Sequence, residues 1–235
     1  MDYASYTRNT NETLKGIAHR RRYDQIVKLI ASPLSTDKVL DYGCGDAHLF
    51  SYFLKRLSPA SLVGYDPNPK LLAEAAPEVA AGSILTVDIN RLKEAHQGSF
   101  TLIYCVEVCE HLTDKALEEL FDNLKELAAP RAKLIFGVPL ETGLSGFLKA
   151  LYRLRRHGRQ QATFANALRA LFGLSIHREM TDIEWYGHHT GFSHERFRRK
   201  LQAAGFEVKR TRCLPFRRLG TVLNNEIYFT CSEAS

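Results

Sequence analysis

Apolar and polar positions follow two periods along this chain. Val39–Tyr42, Ser61–Asp66, Ser83–Ile89, Ser99–Cys105 and Lys133–Pro139 are short, largely apolar runs. Runs of that length and composition predict strands, and continuous apolar ones suit a parallel sheet buried on both faces. Between them the spacing turns helical. A helix is predicted from His48, another over Leu71–Ala76, and a third over Lys115–Ala128, where Leu117, Leu120, Phe121, Leu124 and Leu127 share one face before Pro130-Arg131. Beyond these, Ser193 reads as the N-cap of a helix running to Ala204 with Gly205 as its stop, and Phe206–Arg210 and Glu226–Thr230 read as two last strands. Strands and helices alternating this regularly predict an α/β fold with a doubly wound, mostly parallel seven-stranded sheet.

Two segments fall outside that alternation. Residues up to about Thr10 read as poorly ordered, and Leu14, Ile17, Tyr23, Ile26, Val27 and Ile30 then mark an N-terminal helical cap over 11–31, ended by Ser32-Pro33. Glu141–Tyr186 is extra material, a helical insertion spanning about 141–187. Leu144, Phe147, Leu148, Leu151 and Leu154 fall at helical spacing beside Lys149, Arg153, Arg155 and Arg156, with Gly158 as the stop; Phe164, Leu168, Leu171 and Phe172 form a second stripe. The whole is expected to be one domain, residues 1–235.

Charge singles out the same insertion. Thr142–Arg178 holds seven basic residues and no Asp or Glu, so the other 25 basic residues stand against 26 acidic ones and the rest is near neutral. The basicity is local: either a lid packed on the domain or a basic amphipathic surface for a membrane or an anionic ligand. Arg20-Arg21-Arg22 is a lesser basic run, read as a solvated helix face or a contact for an anionic substrate. Five scattered cysteines, an odd number, point to a reducing, cytoplasmic setting. The polar N-terminus shows no secretory signal, and no apolar run approaches the ~18 residues of a membrane span.

The chemistry centres on Val39-Leu40-Asp41-Tyr42-Gly43-Cys44-Gly45-Asp46-Ala47. A strand, a glycine turn and a helix start make a ligand site, since glycine permits unusual dihedrals and close approach while a helix N-terminus offers N–H groups. A dinucleotide fold would need a third glycine where His48 stands, and Asp41 favours a cationic ligand group over a pyrophosphate. Asp66, 21 residues after Gly45, has the offset of a ribose-binding acid. Asp88 ends the third strand and reads equally as a helix cap or a ligand contact.

That stretch resembles motif I of the class I S-adenosylmethionine-dependent methyltransferases, with Ala47 where many members carry a further glycine. The resemblance covers about Asp37–Arg131 closely, and Lys133–Pro139 and His194–Thr230 more loosely. It implies the Rossmann-like methyltransferase fold with an antiparallel last strand, S-adenosyl-L-methionine as cofactor, and N-terminal helices covering the cofactor cleft. The cofactor residues it implies are Asp41, Gly43, Gly45, Asp66, Pro67, Asp88, Ile89 and Cys105, with Asp88 toward the adenine amino group and Ile89 against the ring.

Glu107, Glu110 and His111 stand at i, i+3 and i+4, which would share one face if a helical turn forms there. Glu-x-x-Glu-His is similar to two metal-dependent branches of the superfamily, the ubiquinone-biosynthesis O-methyltransferases and the small-RNA 3′-terminal 2′-O-methyltransferases. Both take a further histidine from the segment that here holds His188-His189, and the resemblance favours His189. The quinone enzymes also carry a membrane-facing insertion at the place of Glu141–Tyr186. Two readings follow. Either Glu107, Glu110, His111 and His189 hold a divalent ion such as Mg²⁺, Mn²⁺ or Zn²⁺, or the site is metal-free and His111 or His189 is the general base.

The expected function is O-methylation of a small amphiphilic or anionic acceptor: a phenol or quinone precursor, a lipid or a glycan sugar. The alternatives are a metal-dependent RNA 2′-O-methyltransferase and a non-catalytic S-adenosylmethionine-binding module. Peripheral membrane contact through 142–178 is expected of the leading reading, and RNA contact of the alternative.

Overall fold

The computed structural model describes residues 22–157, 163–181 and 185–234. The strands are β1 (Lys38–Tyr42), β2 (Ser61–Tyr65), β3 (Ile84–Thr86), β4 (Phe100–Val106), β5 (Ala128–Pro139), β6 (Phe206–Leu214) and β7 (Glu226–Glu233). They form one sheet in the order β3-β2-β1-β4-β5-β7-β6. β1 pairs in parallel with β2 and β4, and β2 with β3, whereas β6 and β7 are antiparallel. The helices are α1 (His48–Arg56), α2 (Pro69–Leu72), α3 (Pro77–Gly82), α4 (Ile89–His96), α5 (Asp114–Leu127), α6 (Gly143–His157), α7 (Phe164–Leu171) and α8 (His194–Ala203). No described helix is long and apolar enough to cross a membrane.

The described residues divide into two compact units: 22–106 with 122–135, and 107–121 with those from 136 on. In the first, Val39, Leu40, Val63, Phe50, Phe53, Ile103 and Tyr104 are buried around β1, β2 and β4. Of the cap expected over 11–31, residues 22–30 are helical, the last five, Ile26–Ile30, as a π-turn; 11–21 lie outside the described residues, as do Arg20, Arg21 and the chain up to Thr10. The Tyr104 hydroxyl fixes the end of this segment by donating to the Ala31 carbonyl at 3.2 Å.

Several boundaries moved. Leu71–Ala76 is not one helix, because Pro77 starts a separate one, α3, after the short α2. The third strand is only Ile84–Thr86: Asp88 caps α4, so Ile89 is helical, and α4 itself lacked a periodic apolar signature. β5 starts at Ala128 and not at Lys133, so Pro130-Arg131 lies within its early part, where Arg131 takes φ 65°. β6 runs four residues past Arg210, to Leu214.

In the second unit a cluster of Phe121, Phe136, Phe197 and Phe206 packs edge-on, with ring centroids 5.5 to 6.2 Å apart. Ser193 caps α8 as its sequence predicts, accepting from the Arg196 N–H. α6 turns charge as well as apolar surface inward: Ala150 is buried and Phe147, Leu151 and Leu154 are half-buried. Its inward side carries Lys149 and Arg153, bound to the buried carboxylate of Glu141, while Leu144, Leu148 and Tyr152 form an exposed stripe. Gly146 is what lets the helix close on that acid: a Cβ there would lie 2.1 Å from the Glu141 carbonyl oxygen. α7 packs on α6 and likewise buries Ala167 and Ala170 while exposing Phe164, Leu168 and Phe172. The stop at Gly158 lies outside the described residues.

Candidate active site

In the first unit the site is built by the turn after β1. Gly43 and Gly45 take φ 80° and 57°, a region in which a side chain is strained, and this is why the sequence needs glycine there. Ala47, in place of a third glycine, also sits left-handed at φ 54° as the N-cap of α1. The N–H groups of Gly43, Cys44 and Gly45 are bonded within the protein. Gly43 and Cys44 both donate to the Tyr65 carbonyl, at 2.7 and 3.0 Å, and Gly45 donates to Asp66 Oδ2 at 2.9 Å. What the turn offers a ligand is close approach to bare backbone.

Acids gather beneath it. Asp41, Asp46 and Asp66 are all buried. Burial first, then the charges of Asp66 and Asp46, push the Asp41 carboxyl up to about 7. Burial likewise raises Asp66, against the opposing pull of the Asn68 and Gly45 N–H groups. A cationic ligand group is what such a set lacks, so these residues fit the ammonium and sulfonium charges of S-adenosylmethionine.

The other expected cofactor residues divide. Asp66 is already a staple, accepting from Gly45 on one oxygen and from Asn68 on the other, each with a lone pair to spare. Asp88 is seen as a helix cap, its Oδ1 accepting from Asn90 and Arg91 at 2.9 and 3.1 Å. Pro67 is exposed and Ile89 half-buried, both open to a ligand. Cys105 is 1% exposed, its thiol buried in β4.

The second unit holds a different cluster. After Glu107, at φ 60°, the chain makes a three-residue 3-10 turn, Cys109–His111. One ligand atom each from Glu110, His111 and His189 lies within 4.8 Å of the others, the single such group among the described residues. The two Nε2 atoms are 3.2 Å apart, and Glu110 Oε1 is 3.9 Å from His111 Nε2 and 3.8 Å from His189 Nε2. Glu107 is outside this group, because the turn that would have aligned i, i+3 and i+4 starts only at Cys109. Its charge still acts on both imidazoles.

Residues the sequence did not single out hold the cluster in place. His111 Nδ1 donates to the Tyr186 carbonyl at 2.6 Å, which leaves Nε2 as a bare acceptor. The ring stacks on Trp185 at 4.6 Å and 2°. Arg178 lies 4.1 Å over the Tyr186 ring and donates to the carbonyls of Glu110 and His188. Arg153 donates to Thr190, next to His189, as well as to Glu141. Backbone carbonyl partners leave no residue-type signal, and the segment 185–190 has no periodicity to place it. Burial lowers both imidazoles below the ordinary histidine value; the Tyr186 carbonyl offsets this for His111, and Glu107 for His189.

These donors fit a metal ion. Two imidazole nitrogens at ~2.1 Å from one ion would stand roughly 3.0 to 3.4 Å apart in octahedral or tetrahedral geometry, and the two here are 3.2 Å apart. Neutral imidazoles and a buried carboxylate are the right donor chemistry. Equally, a close pair of imidazole nitrogens with a carboxylate beside it suits a proton.

Comparison with known proteins identifies the family. The family described as "Methyltransferase domain" matches residues 16–211. No curated protein matches the chain. Among solved structures, it is similar to magnesium protoporphyrin IX methyltransferase from Synechocystis PCC 6803 with bound S-adenosylhomocysteine: 18% identity, 96% of this chain and 89% of that one, TM-score 0.61. It is also similar to 1,6-didemethyltoxoflavin-N1-methyltransferase from Burkholderia thailandensis, at 14% identity, 100% and 86% coverage and TM-score 0.60. A carbon methyltransferase is similar at 17% identity, 100% and 59% coverage and TM-score 0.56. With the glycine turn, its acids and the seven-stranded sheet in place, the chain belongs to the class I S-adenosylmethionine-dependent methyltransferase family and is an enzyme of that kind.

Proposed function

We propose that this enzyme methylates a hydroxyl of a small amphiphilic or anionic acceptor, a phenol or quinone precursor, a lipid or a glycan sugar. The observation that carries the reading is the convergence of Glu110, His111 and His189. A hydroxyl is a poor nucleophile until it gives up its proton, and this cluster is made to receive one. The cofactor supplies a methyl group already activated on a sulfonium. The chain's residues do the rest. Asp41 and its neighbours hold the cofactor's positive charge. The Tyr186 carbonyl keeps His111 Nε2 bare, and the proton leaving the acceptor oxygen is shared between the two Nε2 atoms, with the Glu110 carboxylate beside it. The acceptor O–H bond breaks as its oxygen takes the methyl, whose bond to the sulfonium breaks to leave a neutral thioether.

The metal-assisted form of the same reaction is favoured by the 3.2 Å separation of the nitrogens. Glu110, His111 and His189 would then hold a divalent ion, which would lower the acceptor hydroxyl's pKa. RNA as acceptor has less support, since Lys149 and Arg153, two of the insertion's cations, are engaged by Glu141.

The test is methyl transfer to a panel of phenols, lipids and glycans, with His111→Gln and His189→Gln variants, before and after chelation. Loss of turnover in both variants with S-adenosylhomocysteine affinity kept supports the cluster's role. Recovery with Mg²⁺, Mn²⁺ or Zn²⁺ after chelation selects the metal form. Full activity in both variants would refute the assignment, and absence of transfer to any acceptor would leave a binding module.

A further inference from the structure

We propose that the loop between β6 and β7, residues 216–223, seats this protein on an anionic lipid surface. The loop is closed by one side chain. Asn224, 1% exposed, accepts the Phe216 N–H on Oδ1 at 2.6 Å and donates from Nδ2 to the carbonyls of Phe216 and Gly220, at 2.9 and 2.6 Å. A buried amide with three bonds gives the loop a fixed shape.

That fixed shape displays apolar side chains to water. Phe216 is 57% exposed, Leu219 42%, Val222 48% and Leu223 47%. α6 carries the surface onward. The Ser145 hydroxyl lies 2.9 and 3.0 Å from the carbonyls of Thr221 and Val222, and Lys149 donates to the Asn225 carbonyl at 3.1 Å. Joined there, the helix adds its outward Leu144, Leu148 and Tyr152, and ends in exposed Arg155 and Arg156. Single exposed apolar residues need no explanation, but ordered groups of them mark an interaction surface.

Charge selects the partner. Arg210, Arg212 and Arg218, with Thr211 and Thr221, line an open groove of about 730 Å³ beside the loop, and no acid lines it. Arg210 and Arg218 have no carboxylate partner among the described residues. Guanidinium groups bind phosphate through paired N–H donors. Apolar tips flanked by guanidinium groups match a bilayer interface, where the tips enter the acyl boundary and the cations meet lipid phosphates. The inference does not depend on which acceptor is methylated.

The experiment is co-sedimentation of the full chain with phosphatidylcholine vesicles, with and without phosphatidylglycerol. Binding is expected only with phosphatidylglycerol, and is expected to weaken as salt rises. Phe216→Ser/Leu219→Ser and Arg210→Gln/Arg218→Gln should each weaken it roughly tenfold or more while leaving S-adenosylhomocysteine affinity unchanged. Wild-type protein that stays in the supernatant at low salt, or variants that bind as wild type, would overturn the proposal. So would saturable binding of inorganic phosphate in the groove without vesicle binding, which would make it a soluble-anion site. A dimer dissolved by Phe216→Ser/Leu219→Ser, again without vesicle binding, would make the face a protein interface.

Discussion

The Gly45 N–H donates to Asp66 Oδ2 at 2.9 Å, joining the two motifs that the sequence separates by 21 residues. The carboxylate whose offset suggests a ribose contact therefore holds the glycine turn. Asp66→Ala should weaken S-adenosylmethionine binding roughly tenfold to a hundredfold, and it should also destabilise the ligand-free protein by about 1–3 kcal/mol, because a buried N–H loses its acceptor. Calorimetry and denaturant unfolding measure the two separately. Unchanged affinity in a folded variant would remove Asp66 from the cofactor site.

Asp41 makes cofactor binding depend on pH. Its carboxyl is raised from 3.8 to about 7 in the ligand-free protein. A folded value above the unfolded one means that the native state binds the extra proton between those limits, so stability falls as pH rises from ~4 to ~7, by a few kcal/mol at most. A cationic ligand favours the ionised acid, so affinity should fall as pH drops below about 7. Asp41→Asn should bind more weakly, lose that slope, and be more stable than wild type at pH 8. Titration calorimetry at pH 6 and 8 checks the first two outcomes.

Glu141 is the anchor of α6. Burial alone would raise its carboxyl, but Lys149 and Arg153 outweigh that and hold it below the ordinary value. The stability it contributes is present above pH ~4.5 and is lost as pH falls through its lowered value. Arg153→Gln removes two short contacts, 2.6 and 3.0 Å, and should cost about 2–4 kcal/mol, somewhat less than a fully buried pair because Arg153 is partly exposed. Arg155→Gln and Arg156→Gln should stay within about 0.5 kcal/mol. Urea midpoints for the three variants decide this, and equal midpoints would refute the anchor.

Trp185 is the only tryptophan in the chain, and it stacks on His111. Its fluorescence should therefore report what His111 binds. Protonation quenches a stacked indole, and His111 is lowered by burial, so quenching should set in below pH ~6.5. If the cluster holds a metal, Co²⁺ or Zn²⁺ should change the emission saturably in wild type and not in His189→Gln. Emission indifferent to every divalent ion would disfavour the metal form independently of any activity assay.

Much of this was legible in the residues because periodic burial and glycine turns are local. The strands around Asp41 and Asp66 and the Ser193 cap were anticipated, and of the expected set Glu107, Glu110, His111 and His189 the last three lie together. α4 was not, since its one buried apolar residue, Leu92, makes no stripe. Which side of α6 faces inward was left open by the residues, for a physical reason. Periodicity shows that a helix has two faces but not which one is turned inward, and here a single buried acid, Glu141, draws Lys149 and Arg153 inward. The roles of Tyr186 and Trp185 rest on a carbonyl and a ring stack that no motif encodes.

The exposed apolar stripe of α6 has a consequence for handling the protein. Its exposed Leu144, Leu148 and Tyr152 and its terminal Arg155 and Arg156 respond to salt in opposite senses. Simple electrolytes screen the arginines within about a 10 Å Debye length at 0.1 M, whereas sulfate and phosphate strengthen apolar association. Solubility should thus pass through an optimum at intermediate ionic strength, and ammonium sulfate should drive self-association of a chain that sodium chloride keeps dispersed.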